Sequence, residues 1–207
     1  MPLSEWSFAA LDVETTGLDL SSGHEIIEIA VVGFNIRGIQ DRWTTLVKPA
    51  RPIPREAVQV HGIRDADVAK APRIADVLGM VEEKTAGRIL VLHNAPFDLE
   101  FLTAACHRAG RPPIDRPLID TLILSRRCFA ADNGHSLTEL AARLGVVPEG
   151  SHRALPDCVT TANAMLALIR WVAAREGKEL LDAGAVLRIE RHPAMNGSAE
   201  AAASPAA

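Results

Sequence analysis

The order of apolar and polar positions predicts strands in the first part of the chain. Residues 8–13 form a short, largely apolar run that is typical of a buried strand. Residues 26–36 form a longer run of this kind, and residues 42–47 form a third. Arg37 and Gly38, between the second and third runs, favour a hairpin turn. Three consecutive strands with short connections predict an antiparallel arrangement at the start of the fold.

After the third strand the spacing of apolar residues becomes helical. A proline-rich loop at 48–54 precedes an amphipathic helix at 73–85, a strand at 88–93 and a helix that begins at once. That last helix carries Phe97 and Phe101, which could stack on a base, although core packing is commoner for such spacing and Phe97 is expected to point inward. Further helices are predicted near 120–128, from the capping box of Ser136 and Glu139 to Gly145, and over 156–175.

Strands followed by alternating helix and strand predict an α/β fold, a mixed central sheet with three initial antiparallel strands and flanking helices. We assign residues 1–191 to one domain. Residues 192–207 are small, polar or proline, which predicts a disordered C-terminal tail.

Composition narrows the class of protein. Of 207 residues, 48% are hydrophobic and 23% charged, which is typical of a soluble globular domain. No apolar stretch approaches the roughly 18 residues that a membrane span needs, and the N-terminus lacks the pattern of a secretory signal, so we expect a cytoplasmic protein without a membrane partner. Cys106, Cys128 and Cys158 lie far apart, which favours reduced thiols over a disulfide or zinc site.

The net charge of −4 lacks the basic excess typical of duplex-binding proteins. An enzyme that contacts phosphate through bound cations would show such a balance, and so would many proteins that never bind nucleic acid. Charge alone therefore does not decide the function.

The first candidate for chemistry is the pair Asp12 and Glu14 at the end of the first strand. At positions i and i+2 both side chains leave the same face. Two like charges held side by side are costly unless a cation neutralises them, although a single pair of this kind is more often a strand-edge carboxylate and a turn-capping residue. The turn Thr15-Thr16-Gly17 that follows offers free amides to a substrate oxygen.

The second and third candidates lie further along the chain. Asp98 falls in HNAPFD, in the first turn of a predicted helix, where the helix dipole alone also favours a carboxylate. His152 and Asp157 fall in GSHRALPDC, on a loop and at the start of the last helix. A loop histidine is usually a surface residue, but an imidazole close to a carboxylate site can take a proton from water.

Taken together, these residues predict a metal centre. Four carboxylates carry about four negative charges, which two divalent cations would balance. Hard oxygen ligands favour Mg²⁺ or Mn²⁺ over zinc, and two such ions can bind the attacking and leaving oxygens of a phosphodiester. The candidate ligands are Asp12, Glu14, Asp98 and Asp157.

Six motifs in order, DVETTGL, IIEIAVV, VHGI, HNAPFDLEFL, IDTL and HRALPD, resemble those of the DEDDh exonucleases. This is the family of the proofreading epsilon subunit of bacterial DNA polymerase III, and the resemblance spans residues 7–175. It implies a ribonuclease-H-like exonuclease fold, 3′–5′ exonuclease activity, two Mg²⁺ or Mn²⁺ ions, and His152 as general base beside the four carboxylate ligands. The chain has no tyrosine, which excludes the sister subclass that uses tyrosine in place of the histidine.

The same resemblance implies a set of substrate contacts and a substrate. Thr15, Gly17 and Leu18 match the turn that holds the terminal nucleotide, and Glu56 and His61 match positions near the 3′ end. Alternatively, Glu56 is a solvated helix charge and His61 forms a loop-packing hydrogen bond. The implied partner is a nucleic acid with a free 3′ end, single-stranded or frayed DNA, with a polymerase as a candidate protein partner.

Three functions follow as hypotheses. The first is release of nucleoside monophosphates from DNA 3′ ends in proofreading or repair. The second is an exoribonuclease of the same family, because discrimination of the sugar depends on the pocket around the 2′ position. The third is a catalytically silent nucleic-acid-binding module, which the loss of a carboxylate would have favoured; all five residues are present.

Overall fold

The computed structural model describes residues 5–150 and 152–175. The predicted tail at 192–207 and the end of the predicted domain lie outside these residues. The described residues form a five-stranded mixed sheet in the order β3-β2-β1-β4-β5. Its strands are β1 (Phe8–Thr15), β2 (Ile26–Asn35), β3 (Gly38–Leu46), β4 (Ile89–Leu92) and β5 (Leu118–Asp120).

Helices cover both faces of the sheet. The long last helix, α7, packs against β1, β2, β3 and β4 on one face, while α3 and α4 cover the other face. In chain order the helices are α1 (Arg55–His61), α2 (Asp65–Val68), α3 (Ile74–Thr85), α4 (Ala95–Arg108), α5 (Thr121–Cys128), α6 (Leu137–Arg143) and α7 (Ala154–Arg175).

Side-chain alternation in β1 separates the two hydrophobic cores. Ala9 and Leu11 lie in the core beneath α3 and α4, whereas Phe8 and Ala10 lie in the core beneath α7. Because side chains alternate along a strand, the later even-numbered positions of β1 also face α7. This alternation brings the acidic end of β1 towards the first turn of α7.

The direction of the strands determines where the polar loops meet. β1 pairs with β2 antiparallel and with β4 parallel, and β4 pairs with β5 parallel. The carboxyl ends of β1, β4 and β5 therefore lie at one edge of the sheet. Both α4 and α5 begin at that edge, directly after their strands.

The predicted architecture is confirmed, with local differences. The strand β3 begins at Gly38 rather than at residue 42, because residues 38–41 continue the ladder with β2. The helix α7 begins at Ala154, ahead of Pro156, which a first helical turn tolerates. Neither the three-residue β5 nor the short helices α1 and α2 were predicted, since none is long enough to show a period.

Two smaller expectations can also be compared with the structure. Cys106, Cys128 and Cys158 are free thiols, as predicted. Within residues 5–150 and 152–175, no helix combines the length and apolar character needed to cross a membrane.

Candidate active site

Three carboxyl groups from the two ends of the chain meet where β1 passes beneath α7. Asp12 and Glu14 lie on the α7 side of β1, and Asp157 lies in the first turn of α7. One oxygen from each of the three lies within 4.8 Å of the others, and all three side chains are half-buried. The structure thus brings together three of the predicted site residues, and their spacing suits ligation of a cation.

Asp98 joins this group from the opposite face of the sheet. It is buried at the start of α4, and its Oδ1 accepts a hydrogen bond of 3.0 Å from the backbone N–H of Val13, between the two acidic residues of β1. Its charge contributes to the raised pKa of Asp12, which places the two carboxyls within electrostatic reach. Asp98 is therefore a structural acceptor within electrostatic reach of Asp12, although it is not one of the three residues whose oxygens lie within 4.8 Å of one another.

The carboxylate of Asp120 stabilises the start of α4, the helix that carries Asp98. It accepts hydrogen bonds from the backbone N–H groups of Asn94, at 3.1 Å, and Ala95, at 3.0 Å, while also capping α5 through Leu122 at 2.8 Å. Asn94 has a φ of 71°, in the left-handed region, so this tight start is stabilised from outside. The IDTL motif identified the segment, although not this role.

Burial and mutual repulsion disturb the ionisation of the whole cluster. Burial, followed by the charges of Asp98 and Glu14, raises the pKa of Asp12 well above its usual range. Burial and the charge of Asp157 raise the pKa of Glu14 to about 7. Burial also raises the pKa of Asp98 and of Asp157. The site therefore favours the uptake of positive charge, as protons or as cations.

His152 lies on an exposed turn at the edge of this cluster. Its backbone N–H donates to Oδ2 of Asp157 over 3.0 Å, and its φ of 58° is in the left-handed region. The charge of the imidazole lowers the pKa of Asp157 against the larger effect of burial, so the ring is close enough to interact with that carboxyl. The structure thus places the predicted base beside the acidic cluster, with its ring open to solvent.

A cleft of about 540 Å³ opens next to the end of β1. Apolar side chains form much of its wall, and Leu18 and Val60 at its border are 84% and 57% exposed. The cleft brings together all five residues predicted to contact substrate, which are Thr15, Gly17, Leu18, Glu56 and His61.

The turn that follows β1 is held by internal hydrogen bonds. The hydroxyl of Thr15 donates to the carbonyl of Gly17 over 2.7 Å, and the hydroxyl of Thr16 contacts Nδ1 of His24 at 3.1 Å. A Cβ at Gly17 would lie 2.5 Å from the His24 ring, so a larger residue here would displace that ring from its contact with Thr16. His24 was not predicted, because nothing in its local pattern marks it.

The two residues with alternative interpretations show features of both. His61 is buried, and its Nδ1 accepts the backbone N–H of Ile63 at 3.0 Å, which is the loop-packing bond, yet the residue also lines the cleft. Glu56 is exposed in the first turn of α1, as a solvated charge would be, and lines the same cleft. Their contact with substrate stays a prediction.

Phe97 does not point wholly inward. It is half-buried, packs against the core beneath α3 and α4, and lines the cleft. Its ring centroid lies 5.1 Å from that of Phe101, which is fully buried. Phe101 is thus a core residue, whereas Phe97 offers one side to a ligand.

Sequence reasoning missed an ion pair behind the cluster, between the buried Glu28 and the half-exposed Arg153. Glu28 of β2 is only 3% exposed and stands opposite Glu14 in the strand register. Arg153 donates to both of its carboxylate oxygens, at 2.9 and 2.7 Å. The available signal was a single charge inside the apolar run IIEIAVV, because a buried charge in a strand requires a partner.

Comparison with known proteins defines the family. The profile of the RNase_T family, described as "Exonuclease", matches residues 9–165. The chain therefore belongs to this exonuclease family, and its sheet and helices form the ribonuclease-H-like exonuclease fold.

Relatives with known names have similar sequences. The chain is 44% identical over 198 residues to a DNA polymerase III subunit epsilon-like protein of Rhodobacter capsulatus, covering 92% of this chain and 27% of that protein. It is 33% identical over 166 residues to the DNA polymerase III subunit epsilon of Treponema pallidum, covering 78% of this chain and 77% of that protein. The chain thus spans about a quarter of the Rhodobacter relative.

Solved structures have the same fold. Exonuclease X in complex with 5′ overhanging duplex DNA is 29% identical with a TM-score of 0.64, covering 85% of this chain and 98% of that one. The nuclease domain of 3′hExo, a DEDDh family member bound to rAMP, is 22% identical with a TM-score of 0.74, covering 91% and 99%. The second likeness concerns the fold alone.

Proposed function

We propose that this chain is a 3′–5′ exonuclease that releases nucleoside monophosphates from DNA 3′ ends by two-metal-ion hydrolysis, in proofreading or repair. One observation carries the proposal: the carboxyls of Asp12, Glu14 and Asp157, with oxygens within 4.8 Å of one another, lie beside a cleft suited to one terminal nucleotide. The exonuclease family supports the same activity.

The residues present fit a pair of Mg²⁺ or Mn²⁺ ions. The donors are carboxylate oxygens, which these hard cations prefer. Burial and repulsion raise the pKa of Asp12, Glu14 and Asp98, so a bound cation would relieve the repulsion within the cluster. The ligands would be Asp12, Glu14, Asp98 and Asp157. When bound, two such ions supply electrostatic stabilisation of the attacking and leaving oxygens of the phosphodiester.

His152 supplies the proton transfer in this proposal. Its exposed ring interacts with Asp157, which would stabilise the imidazolium formed when the ring takes a proton from the attacking water. Removing a general base of this kind typically costs about 10²–10⁴-fold in rate. The solvent-open position lets the ring release that proton after each turnover.

The cleft residues would position the terminal nucleotide. The turn from Thr15 to Leu18 offers backbone groups next to the acidic cluster, and the half-buried ring of Phe97 offers a surface on which a base could stack. Glu56 and His61 line the opposite wall, where the 3′-terminal sugar would lie. A free 3′ end is then required for entry.

The choice of DNA and of a protein partner comes from the relatives. The Rhodobacter and Treponema proteins are named as an epsilon-like protein and an epsilon subunit of DNA polymerase III, which supports DNA as substrate, a polymerase as partner and action in the cytoplasm. The structure of exonuclease X holds duplex DNA with a 5′ overhang, which supports an accessible 3′ end as the feature bound.

A matched panel of 5′-labelled substrates tests the function. With Mg²⁺ or Mn²⁺, linear single-stranded DNA and a duplex with a frayed 3′ end should give ladders that shorten one nucleotide at a time. A 3′-phosphate should slow the reaction, and a circular strand that carries an internal label should stay intact. Cutting of the circle would contradict the proposal. Faster digestion of matched RNA would make the chain an exoribonuclease, and no turnover on any strand would favour a silent binding module.

A further inference from the structure

Glu28 occupies an electrostatically unfavourable position. Its Cα is directly opposite that of Glu14 in the antiparallel ladder, so both side chains lie on the face covered by α7. Like charges opposite each other across strands are destabilising, and Glu28 is also almost fully buried. Its charge contributes to the raised pKa of both Asp12 and Asp157. An acidic residue at such a position requires an explanation.

The contacts of Glu28 all lead to the junction between the His152 turn and α7. Arg153 donates through Nε to Oε2 at 2.9 Å and through Nη2 to Oε1 at 2.7 Å, a bidentate arrangement. The backbone N–H of Ala154, the first residue of α7, donates to Oε2 at 3.0 Å. Glu28 thus accepts hydrogen bonds from the side chain of Arg153, which precedes α7, and from the backbone N–H of Ala154, which begins it.

The same junction carries the proposed base and a proposed ligand. His152 immediately precedes Arg153, and its N–H donates to Asp157. The left-handed φ of His152 is unfavourable for a residue other than glycine, so contacts outside the turn must hold it. The bonds from Glu28 lie one and two residues from that position.

We propose that Glu28 and Arg153 are positioning residues, which hold the His152 turn against Asp157 from the neighbouring strand. This inference rests on the proposed function for its kinetic consequence, although not for its structural one. Glu28 is not placed as a metal ligand, because its two oxygens accept three hydrogen bonds from the junction. Arg153 acts through His152 and does not contact the substrate.

A simpler alternative is that Arg153 only neutralises a buried carboxylate. Removing the arginine alone would leave Glu28 unpaired and could unfold the chain. The double variant Glu28→Gln/Arg153→Met removes both charges at similar volume and avoids that problem. It separates the stabilising role of the ion pair from its positioning role.

The first readout is kinetic. The double variant should melt within a few degrees of the wild type, yet its kcat should fall by about 10–100-fold, the usual effect of losing a partner that orients an active-site group. Its KM should change by less than about threefold, since the cleft residues are untouched. Arg153→Lys, which keeps the charge without the planar fork, should melt like the wild type but keep only part of its kcat.

A second readout does not depend on activity. The bidentate pair anchors residues 152–154, so amide hydrogen exchange there should accelerate at least about tenfold in the double variant. The matched control is Asp41→Asn/Arg88→Met, which removes a bidentate, half-buried arginine–aspartate pair at the other end of the sheet. In the control neither exchange at residues 152–154 nor kcat should change.

The decisive comparison adds His152→Ala. If the pair acts through His152, the double variant should cost little further kcat in that background. Three results would each overturn the inference. The double variant could have the kcat of the wild type, or amide exchange at residues 152–154 could be unchanged in it. The double variant could also lower kcat as much in the His152→Ala background as in the wild type. A wild-type protein without nuclease activity would instead defeat the proposed function, and the exchange experiment would still decide the positioning role.

Discussion

The two ends of the central sheet differ in whether their charged side chains are balanced by partners of opposite charge. At one end Asp41 of β3 and Arg88 before β4 pair over Gly33, with distances of 3.2 and 2.6 Å. At the other end Arg153 pairs with Glu28, and four further carboxyls remain close by. One end is electrically balanced, whereas the other carries an excess of negative charge.

This difference separates structure from function. The Asp41–Arg88 pair has a structural explanation, because each charge has a partner and the pair links β3 to the residue that precedes β4. The acidic end gains nothing in stability from four carboxyls whose pKa values are raised by burial and repulsion. A fold tolerates such an arrangement where a ligand completes it, and in the proposed function that ligand is cationic.

The largest expected effect comes from neutralising the acidic end. Asp12→Asn should lower turnover by about 1000-fold or more, since it removes a ligand and its charge from the transition state. In EDTA its melting temperature should not fall below that of the wild type, because one repelling charge has gone. Asp41→Asn should show the reverse, with normal turnover and lower stability. Nuclease assays and thermal melts of both variants check this, and a stable, active Asp12→Asn would remove that residue from the site.

The second effect concerns the base. His152→Ala should reduce kcat by about 10²–10⁴-fold while Mn²⁺ affinity, measured by calorimetry, changes little. Because the substitution removes the proposed proton acceptor, the pH dependence of turnover should also differ between the variant and the wild type. A loss of Mn²⁺ binding would instead identify His152 as a ligand, and unchanged turnover would leave it a surface histidine.

The third effect is a dependence of stability on pH in the absence of metal. Burial and repulsion hold the pKa of Glu14 at about 7, above its ordinary value of 4.5. The folded state therefore retains a proton that the unfolded chain has released, so this contribution to stability is present at low pH and lost as pH rises through 7.

Glu14→Gln should consequently melt close to the wild type near pH 5 and above it near pH 8 in EDTA. The difference between the two proteins cancels the contributions of the histidines, which both retain. Saturating Mn²⁺ should reverse the order at pH 8, because only the wild type keeps the full ligand set. If the difference in melting temperature between Glu14→Gln and the wild type became smaller as pH rises in EDTA, the assigned repulsion at Glu14 would be contradicted.

Much of this comparison could be predicted from the sequence, because the acidic end depends on local patterns. The i and i+2 spacing of Asp12 and Glu14 fixes their common face, and the positions of Asp98 and Asp157 in first helical turns follow from the helix starts. The parallel strands β1 and β4 end at one edge of the sheet, which brings Asp98 near the end of β1, whereas Asp157 reaches the same place from the first turn of α7. The structure brings Asp12, Glu14 and Asp157 together, and the roles predicted for these residues stay predictions.

Long-range pairs could not be predicted in the same way. Arg153 and Glu28 are 125 positions apart, and Arg88 and Asp41 are 47 apart, so no local period connects them. Asp120 and His24 likewise act through contacts that exist only after the chain has folded. Short elements such as β5 were missed because three residues do not establish an alternation.

The smallest expected effect tests the balanced end. Gly33→Ala would place a Cβ against the side chains of Arg88 and Asp41, forcing their ion pair to move. We expect a loss of up to about 1 kcal/mol in the free energy of unfolding, the usual value of a part-exposed ion pair, because only the ends of two flexible side chains must move. Denaturant titration measures this loss, and kcat should stay unchanged. A drop in kcat at equal stability would mean that the two ends are coupled.

The Mn²⁺ dependence of single-nucleotide release from a 3′-labelled DNA strand tests the central claim most directly. At pH 8 the wild type should release no nucleotide in EDTA and should reach a saturating rate as Mn²⁺ is added. Asp12→Asn should stay at background over the same range, while melting no lower than the wild type without metal. Release in EDTA, or saturating release by a folded Asp12→Asn, would contradict the assignment of the acidic end as a metal-dependent exonuclease site.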